Sequence, residues 1–192
     1  AAAMRVASAI GIKSFQWLAT LWGGALVFKT QTLWALGFVI TFTLGGISGM
    51  FFPVVGLDMQ FHDTYFVVAH FHYVLIGGTV FGLFAGLYYW YPKAFGRKLS
   101  ERLGVIHFLI SFIAYNAAFW PMHVVGTMGM PRRTHTYSVE SGYASLNYSI
   151  SVASFIFGLA QLILVWNLVY SSKKGEKNGR TEERRGGKGR RS

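Results

Sequence analysis

The stretch His62-Asp63-Thr64-Tyr65-Phe66-Val67-Val68-Ala69-His70-Phe71-His72-Tyr73 decides how this chain is read. It opens on two polar groups and runs straight into an apolar segment that continues from about Thr64 to Tyr91. That is well past the ~20 residues an α-helix needs to cross hydrocarbon. At 1.5 Å per residue such a helix would be ~42 Å long, so it projects beyond the bilayer core. Histidine inside a membrane helix is costly and marks function by default. A step of two residues turns an α-helix by ~200°, so His70 and His72 face opposite sides. They cannot share one metal, but they can serve two.

Working outward, three further segments repeat the same length and apolarity: about Thr32 to Phe52, Gly104 to Met122, and Tyr143 to Tyr170. A partial one lies around Val6 to Val27, interrupted by Lys13. The chain is 53% hydrophobic and only 13% charged, against about 25% charge in a soluble domain. The expected fold is an all-α, polytopic transmembrane helix bundle of about five helices. A soluble helical core is the plainer alternative, and no segment shows the charged face it requires. With no cysteine, disulfides and thiolate sites are excluded.

The formal net charge of +11 could suggest nucleic acid. Its location argues for a lipid bilayer and against nucleic acid. From Ser171 to Ser192 there are nine Lys/Arg against three Glu and no apolar periodicity. Residues 171–192 therefore read as a basic, disordered tail. The connection Pro92–Arg102 is basic as well. Both fall on one side if the helices alternate, so that side is the cytoplasm or the matrix. The opposite side holds Pro53–Asp63, with Asp58, His62 and Asp63, and His123–Gly142, with Arg132 and Arg133. Two arginines on the outer side call for a local anionic partner. Trp90, Tyr91, Trp120 and Tyr170 stand near helix ends, where amphipathic rings prefer to lie. Gly45, Gly46 and Gly49 would let a helix or a flat macrocycle approach closely.

His70 and His72 lie roughly 9–12 Å in from the helix start. Two flat cofactors held edge to edge at one depth suit that placement, and haem iron takes histidine as an axial ligand in an apolar slot. The spacing alone is met equally by two histidines satisfied by interhelical hydrogen bonds. Asp63 can act as the N-cap of the crossing. Lys13 is a charge in an apolar stretch, again a functional position by default. His107, His123 and His135 read as satisfied structural histidines.

The stretch His62 to Tyr73 resembles the signature of subunit I of the haem-copper terminal oxidases, the cytochrome c oxidase family. Gly11-Ile-Lys13-Ser-Phe-Gln-Trp17-Leu-Ala-Thr-Leu, Leu33-Trp-Ala-Leu-Gly-Phe, Gly45-Gly and Gly129-Met-Pro-Arg132-Arg133 are similar to it too, in its order. The resemblance runs from about Gly11 to Tyr170 and matches helices eight to twelve of that family. Residues 1–170 are thus expected to be the C-terminal part of such a subunit.

The resemblance implies that His70 is the proximal ligand of the high-spin haem and His72 an axial ligand of the low-spin haem. These would be haem a3 and haem a, or other haem types. It implies that Phe71 lies between the two haems. It implies that His62 and Asp63 ligate Mg²⁺ or Mn²⁺ shared with a partner subunit. Arg132 and Arg133 correspond to the family's arginine pair at the haem propionates, where a guanidinium fork suits a carboxylate. Asp58 would join that propionate and water network. Lys13 corresponds to a lysine that carries protons to the oxygen site. The family usually has Pro-Thr-Gly before it, where Ala9-Ile10-Gly11 stands here. Ser8 or Ser14 is the nearest substitute hydroxyl.

The family's copper, its three histidines, its cross-linked tyrosine and the second low-spin ligand come from helices that match nothing here. The copper is therefore not ligated by this chain, which is expected to be a fragment of a longer subunit, or else one of two polypeptides of a split subunit, and inactive alone. Implied partners are the N-terminal half of subunit I, subunits II and III, and cytochrome c as electron donor. The basic tail points to a prokaryotic rather than a mitochondrial membrane. Gly77-Gly to Pro92-Lys-Ala-Phe-Gly is similar to bacterial quinol oxidases, so quinol is the alternative donor, although His62-Asp63 favours the cytochrome c type. Nitric oxide reductase fits Lys13 and His62-Asp63 poorly. A non-catalytic dihaem electron carrier would explain the two histidines but not Lys13, and a transporter the reverse.

Overall fold

The computed structural model describes residues 2–177. It is an all-α bundle whose elements are α1 (Ala2–Leu21), α2 (Thr30–Gly49), a short α3 (Val55–Phe61), α4 (Tyr65–Val74), a π-helical segment (Leu75–Val80), α5 (Phe81–Phe95), α6 (Glu101–Thr127), one 3₁₀ turn (Val139–Ser141) and α7 (Ala144–Lys174). Four spans are long and apolar enough to cross a membrane: 30–49, 65–95, 101–127 and 144–174. Residues with outward-facing apolar side chains, such as Leu83, Ile113, Phe155 and Leu159, cover the bundle. In a solvent as apolar as these side chains, that exposure costs nothing. The chain is an integral membrane protein.

α6 is the hub. It packs against α7 on one side and α4 on the other, while α2 packs against α4 and α5, and the main neighbour of α1 is α2. Trp34 of α2 is fully buried, its ring 4.7–5.1 Å from those of Phe81, Phe84, His107 and Phe108. Polar side chains tie the helices at depth, where water cannot compete. His107 lies between Tyr88, whose hydroxyl donates to Nδ1 at 3.2 Å, and Gln161, whose Oε1 accepts from Nε2 at 3.1 Å. It is a satisfied structural histidine, as expected.

The third crossing departs from a plain α-helix. After Val74 it widens into the π-helical segment and resumes as α5. A π-turn shifts the hydrogen-bond ladder by one residue. Here the Tyr115 hydroxyl of α6 donates to the His72 carbonyl at 3.1 Å. Gly77 sits where an added Cβ would lie 2.5 Å from Thr41 Oγ1, so the segment also brings the crossing tight against α2.

The loop Pro53–Asp63 contains helix α3, which carries Asp58. At the other end, α7 runs on to Lys174. Arg97 Nη1 donates to the Lys173 and Gly175 carbonyls, at 3.1 and 3.2 Å. The expected tail is thereby ordered as far as Lys177, and its remaining residues, 178–192, lie outside the described residues.

Candidate functional site

The first turn of the motif is set by a loop-to-loop clasp. Asp63 has φ 54°, the left-handed region, which Asp tolerates better than most residues. The turn is held from across the fold. Arg132 donates its backbone amide to the Asp63 carbonyl at 2.8 Å and its Nε to Asp63 Oδ1 at 2.5 Å, and its Nη2 contacts the same carboxylate oxygen. Tyr65 donates its amide to the Met130 carbonyl at 3.0 Å. The N-cap of α4 is Thr64, not Asp63 as the sequence suggested: Thr64 Oγ1 accepts from the Phe66 amide at 3.2 Å. Asp63 is drawn away because the guanidinium of Arg132 is the stronger partner. So part of the anionic partnership expected for the arginine pair lies within the chain. Arg132 is balanced by Asp63, while Arg133, exposed with φ 61°, makes no ion pair among the described residues.

His62 Nε2 lies 3.4 Å from Asp63 Oδ2. Two donors are fewer than a hard divalent ion takes. Among the described residues no cluster of three or more His, Asp or Glu completes the set. The donor types suit Mg²⁺ or Mn²⁺ only if water or another chain supplies the remainder. Asp58 is half-buried in α3, and its carbonyl accepts from the His62 amide at 2.7 Å.

Further along α4, the two histidines turn to different helices. The His70 Nδ1 sits 2.9 Å from the Gly45 carbonyl of α2 and 3.1 Å from Ser48 Oγ. The His72 Nδ1 sits 2.8 Å from the Val68 carbonyl of its own helix. A carbonyl only accepts, so each Nδ1 carries the proton and each Nε2 keeps its lone pair. Metal-bound histidines are fixed in this way. The His72 ring is stacked between Phe71 (4.5 Å) and Phe119 of α6 (4.3 Å). Phe52 flanks His70 at 5.2 Å.

His70 lines a cavity of about 750 Å³ between α1, α2 and α4. Phe15, Leu18, Ile47 and Met50 make its walls apolar. Gly46 and Gly49 line it too, yet they differ. An added Cβ at Gly46 meets nothing within 4 Å, whereas one at Gly49 would fall 2.6 Å from His70 Cε1. The glycine step thus serves both purposes considered from sequence: Gly45 and Gly49 admit α4, and Gly46 leaves room in the cavity. An apolar slot with a tautomer-fixed imidazole on its wall fits a haem.

Lys13 is exposed on α1 and is not among the cavity-lining residues, whereas its neighbour Ser14 is buried and lines the cavity. Of the three histidines set aside, His135 is exposed. His123 differs from expectation. Its buried Nδ1 has no hydrogen bond of ordinary geometry, although the Phe119 and Trp120 carbonyls lie on that side. Its ring packs against Phe66, Tyr73 and Trp120 at 5.1–5.5 Å. Being one turn beyond Phe119, it shares the α4–α6 seam with the motif. A histidine four residues after an aromatic on one helix was the available signal.

Comparison with known proteins identifies the relatives of this chain. Residues 1–156 match the family model "Cytochrome C and Quinol oxidase polypeptide I". The chain is 46% identical over 176 residues to cytochrome c oxidase subunit 1 of Alkalihalophilus pseudofirmus, covering 92% of this chain and 28% of that protein. It is equally 46% identical, over 168 residues, to quinol oxidase subunit 1 of Bacillus subtilis, covering 88% of this chain and 26% of that one. It therefore spans less than a third of these relatives. A solved haem-copper terminal oxidase dimer shares the fold with TM-score 0.66 at 22% identity, over 77% of this chain and 27% of that one. The chain belongs to the cytochrome c and quinol oxidase polypeptide I family.

Proposed function

We propose that this chain is the haem-holding C-terminal part of a proton-pumping oxidase that passes electrons from cytochrome c to oxygen. The observation that carries the reading is the pair of tautomer-fixed imidazoles. Each has Nδ1 tied to a carbonyl, and the two are turned to different helices. His70 would be the proximal ligand of the high-spin haem and His72 an axial ligand of the low-spin haem, with Phe71 between the two. The haems would supply oxygen binding and electron transfer. The chain's part is to hold each ring rigidly, to exclude water with aromatic walls and to place charge nearby. Arg132 and Arg133 would meet propionates, with Asp58 in the same network. Arg132 would then bridge Asp63 and a propionate, which its several donors allow. His62 and Asp63 would give two of the ligands of Mg²⁺ or Mn²⁺, the rest coming from water and subunit II.

Proton delivery along α1 is supported at Lys13 by residue type alone. The buried Ser14 hydroxyl in the cavity wall is the better-placed carrier within this chain. Copper, the second low-spin ligand, subunit III and the donor lie with the remainder of the assembly. Quinol is the second reading for the donor, because relatives of both kinds match at 46% identity. The membrane would be that of a prokaryote, as the relatives are bacterial, with residues 178–192 on the cytoplasmic side.

Spectra of the assembled complex, reduced minus oxidised, with and without carbon monoxide, test the assignment. His72→Ala should abolish the low-spin signal while carbon monoxide still binds. His70→Ala should abolish carbon monoxide binding and leave a low-spin spectrum. Ala is a good helix former, so α4 survives both changes. The same spectral loss from both, with the complex assembled, would sink the two-iron reading.

A further inference from the structure

Two cavities meet at the far end of the bundle from the histidines' loop clasp. The first, about 620 Å³, lies where α2 and α6 begin and α5 and α7 finish. Its wall carries Lys29, Lys93, Lys98 and Lys174 against Glu101 and Glu176. Most of these are engaged. Lys98 is 3.4 Å from Glu176, and Lys93 lies 3.7 Å above the Tyr89 ring. Glu101 is turned to the start of α2, where its Oε1 accepts from the Thr30 amide at 2.5 Å and the Thr30 hydroxyl at 2.9 Å. Lys29 and Lys174 make no ion pair among the described residues, so the cavity keeps a positive surplus.

The second cavity, about 610 Å³, lies between α5 and the link joining α1 to α2. Leu21, Leu26, Ala35, Ala85 and Gly86 make this groove apolar. The two cavities share Lys29, Gln31 and Tyr89. A cationic pocket therefore opens across a common rim into an apolar groove. Trp90 and Tyr170 are exposed at the same end, 61% and 43%, where amphipathic rings meet lipid headgroups.

We propose that this composite cavity binds one anionic phospholipid of the adjoining leaflet. Its phosphate would lie between Lys29 and Lys174, and one acyl chain would run along the Ala35–Ala85–Gly86 groove. A free anion would use the lysines and leave the groove unfilled. A zwitterionic lipid would fill the groove but bring its own cation to a pocket that already carries surplus positive charge. Only an anionic amphiphile answers both cavities. The ammonium groups act as point charges on a phosphate, and their attraction is felt where water is thinned by lipid.

The test uses the complete oxidase, delipidated in detergent and returned to nanodiscs of phosphatidylcholine with a graded fraction of phosphatidylglycerol. Retained phosphatidylglycerol is counted per haem by extraction and mass spectrometry. Replacing both exposed lysines, Lys29→Gln with Lys174→Gln, should raise the half-saturating fraction about thirtyfold. Ala85→Phe fills the groove without touching charge and should also lower retention. Inorganic phosphate should not displace the lipid. The haem spectrum reports assembly of each variant, and the single Lys29→Gln change, expected to give about fivefold, serves if the double variant is poorly made. Wild-type retention in the lysine variants or in Ala85→Phe would overturn the proposal, as would displacement of the lipid by phosphate.

Discussion

The seat of His70 can be broken by a single carbon. Gly49 closes α2, and a Cβ added there would lie 2.6 Å from His70 Cε1 and 3.3 Å from both ring nitrogens. Ordinary van der Waals contact begins at 3.4 Å, so in Gly49→Ala the ring must retreat by about 0.8 Å. Gly45 stands on the same helix. A ring that backs away from α2 therefore stretches its 2.9 Å contact with the Gly45 carbonyl and loosens the tautomer lock. Crowding of this kind costs ~1–3 kcal/mol, and a lost hydrogen bond about 1 kcal/mol more. On the proposed assignment of His70 to the oxygen-binding haem, the larger effect falls on chemistry, because a misplacement of ~1 Å at a reacting centre can cost about a hundredfold in rate. Oxygen consumption by the purified complex should fall by roughly tenfold to a hundredfold. Carbon monoxide binding should weaken, while the low-spin signal persists because His72 packs against α6 rather than α2. Gly82→Ala makes the same chemical change where an added Cβ meets nothing within 4 Å, and it should be neutral. Normal turnover and carbon monoxide kinetics in assembled Gly49→Ala would refute the claim that this close approach positions the ring.

Three further outcomes are expected. On the proposed propionate contact, Arg132→Leu removes a positive charge that would favour the reduced iron, so a redox titration should show haem midpoints falling, on the order of tens of millivolts; unchanged midpoints would count against that contact. Gly126→Ala would drive a Cβ into the Phe66 backbone nitrogen, a contact that no rotamer can relieve. The α4–α6 seam must then open at a cost of about 3 kcal/mol or more, read as loss of assembled complex or a lower Tm. Protease added to sealed right-side-out vesicles should spare the basic segment after Lys177, and its cleavage there would reverse the proposed orientation.

The sequence by itself determined whatever depends on helical geometry and on transfer from water. Segment length and apolarity are local properties, and they placed the four crossings to within a few residues. The opposed directions of His70 and His72 follow from the turn per residue, and the structure keeps both within α4, ahead of the π-helical widening. What only the tertiary structure decided depends on residues far apart in the chain. Thr64 caps α4 because Arg132, 69 positions away, holds Asp63 in its clasp. The Nδ1 proton of His70 is fixed by Gly45, 25 positions back. The π-helical segment rests on Thr41 and Tyr115 of neighbouring helices; its Gly77-Gly78 pair is visible in the sequence, but the contacts that make it a close approach are not. Lys13 drew attention as the charged residue, yet Ser14 reaches the cavity, because the packing of α1 on α2 sets which face turns inward. Periodicity can say that a helix has two sides, but the neighbour each side meets is chosen by the whole bundle.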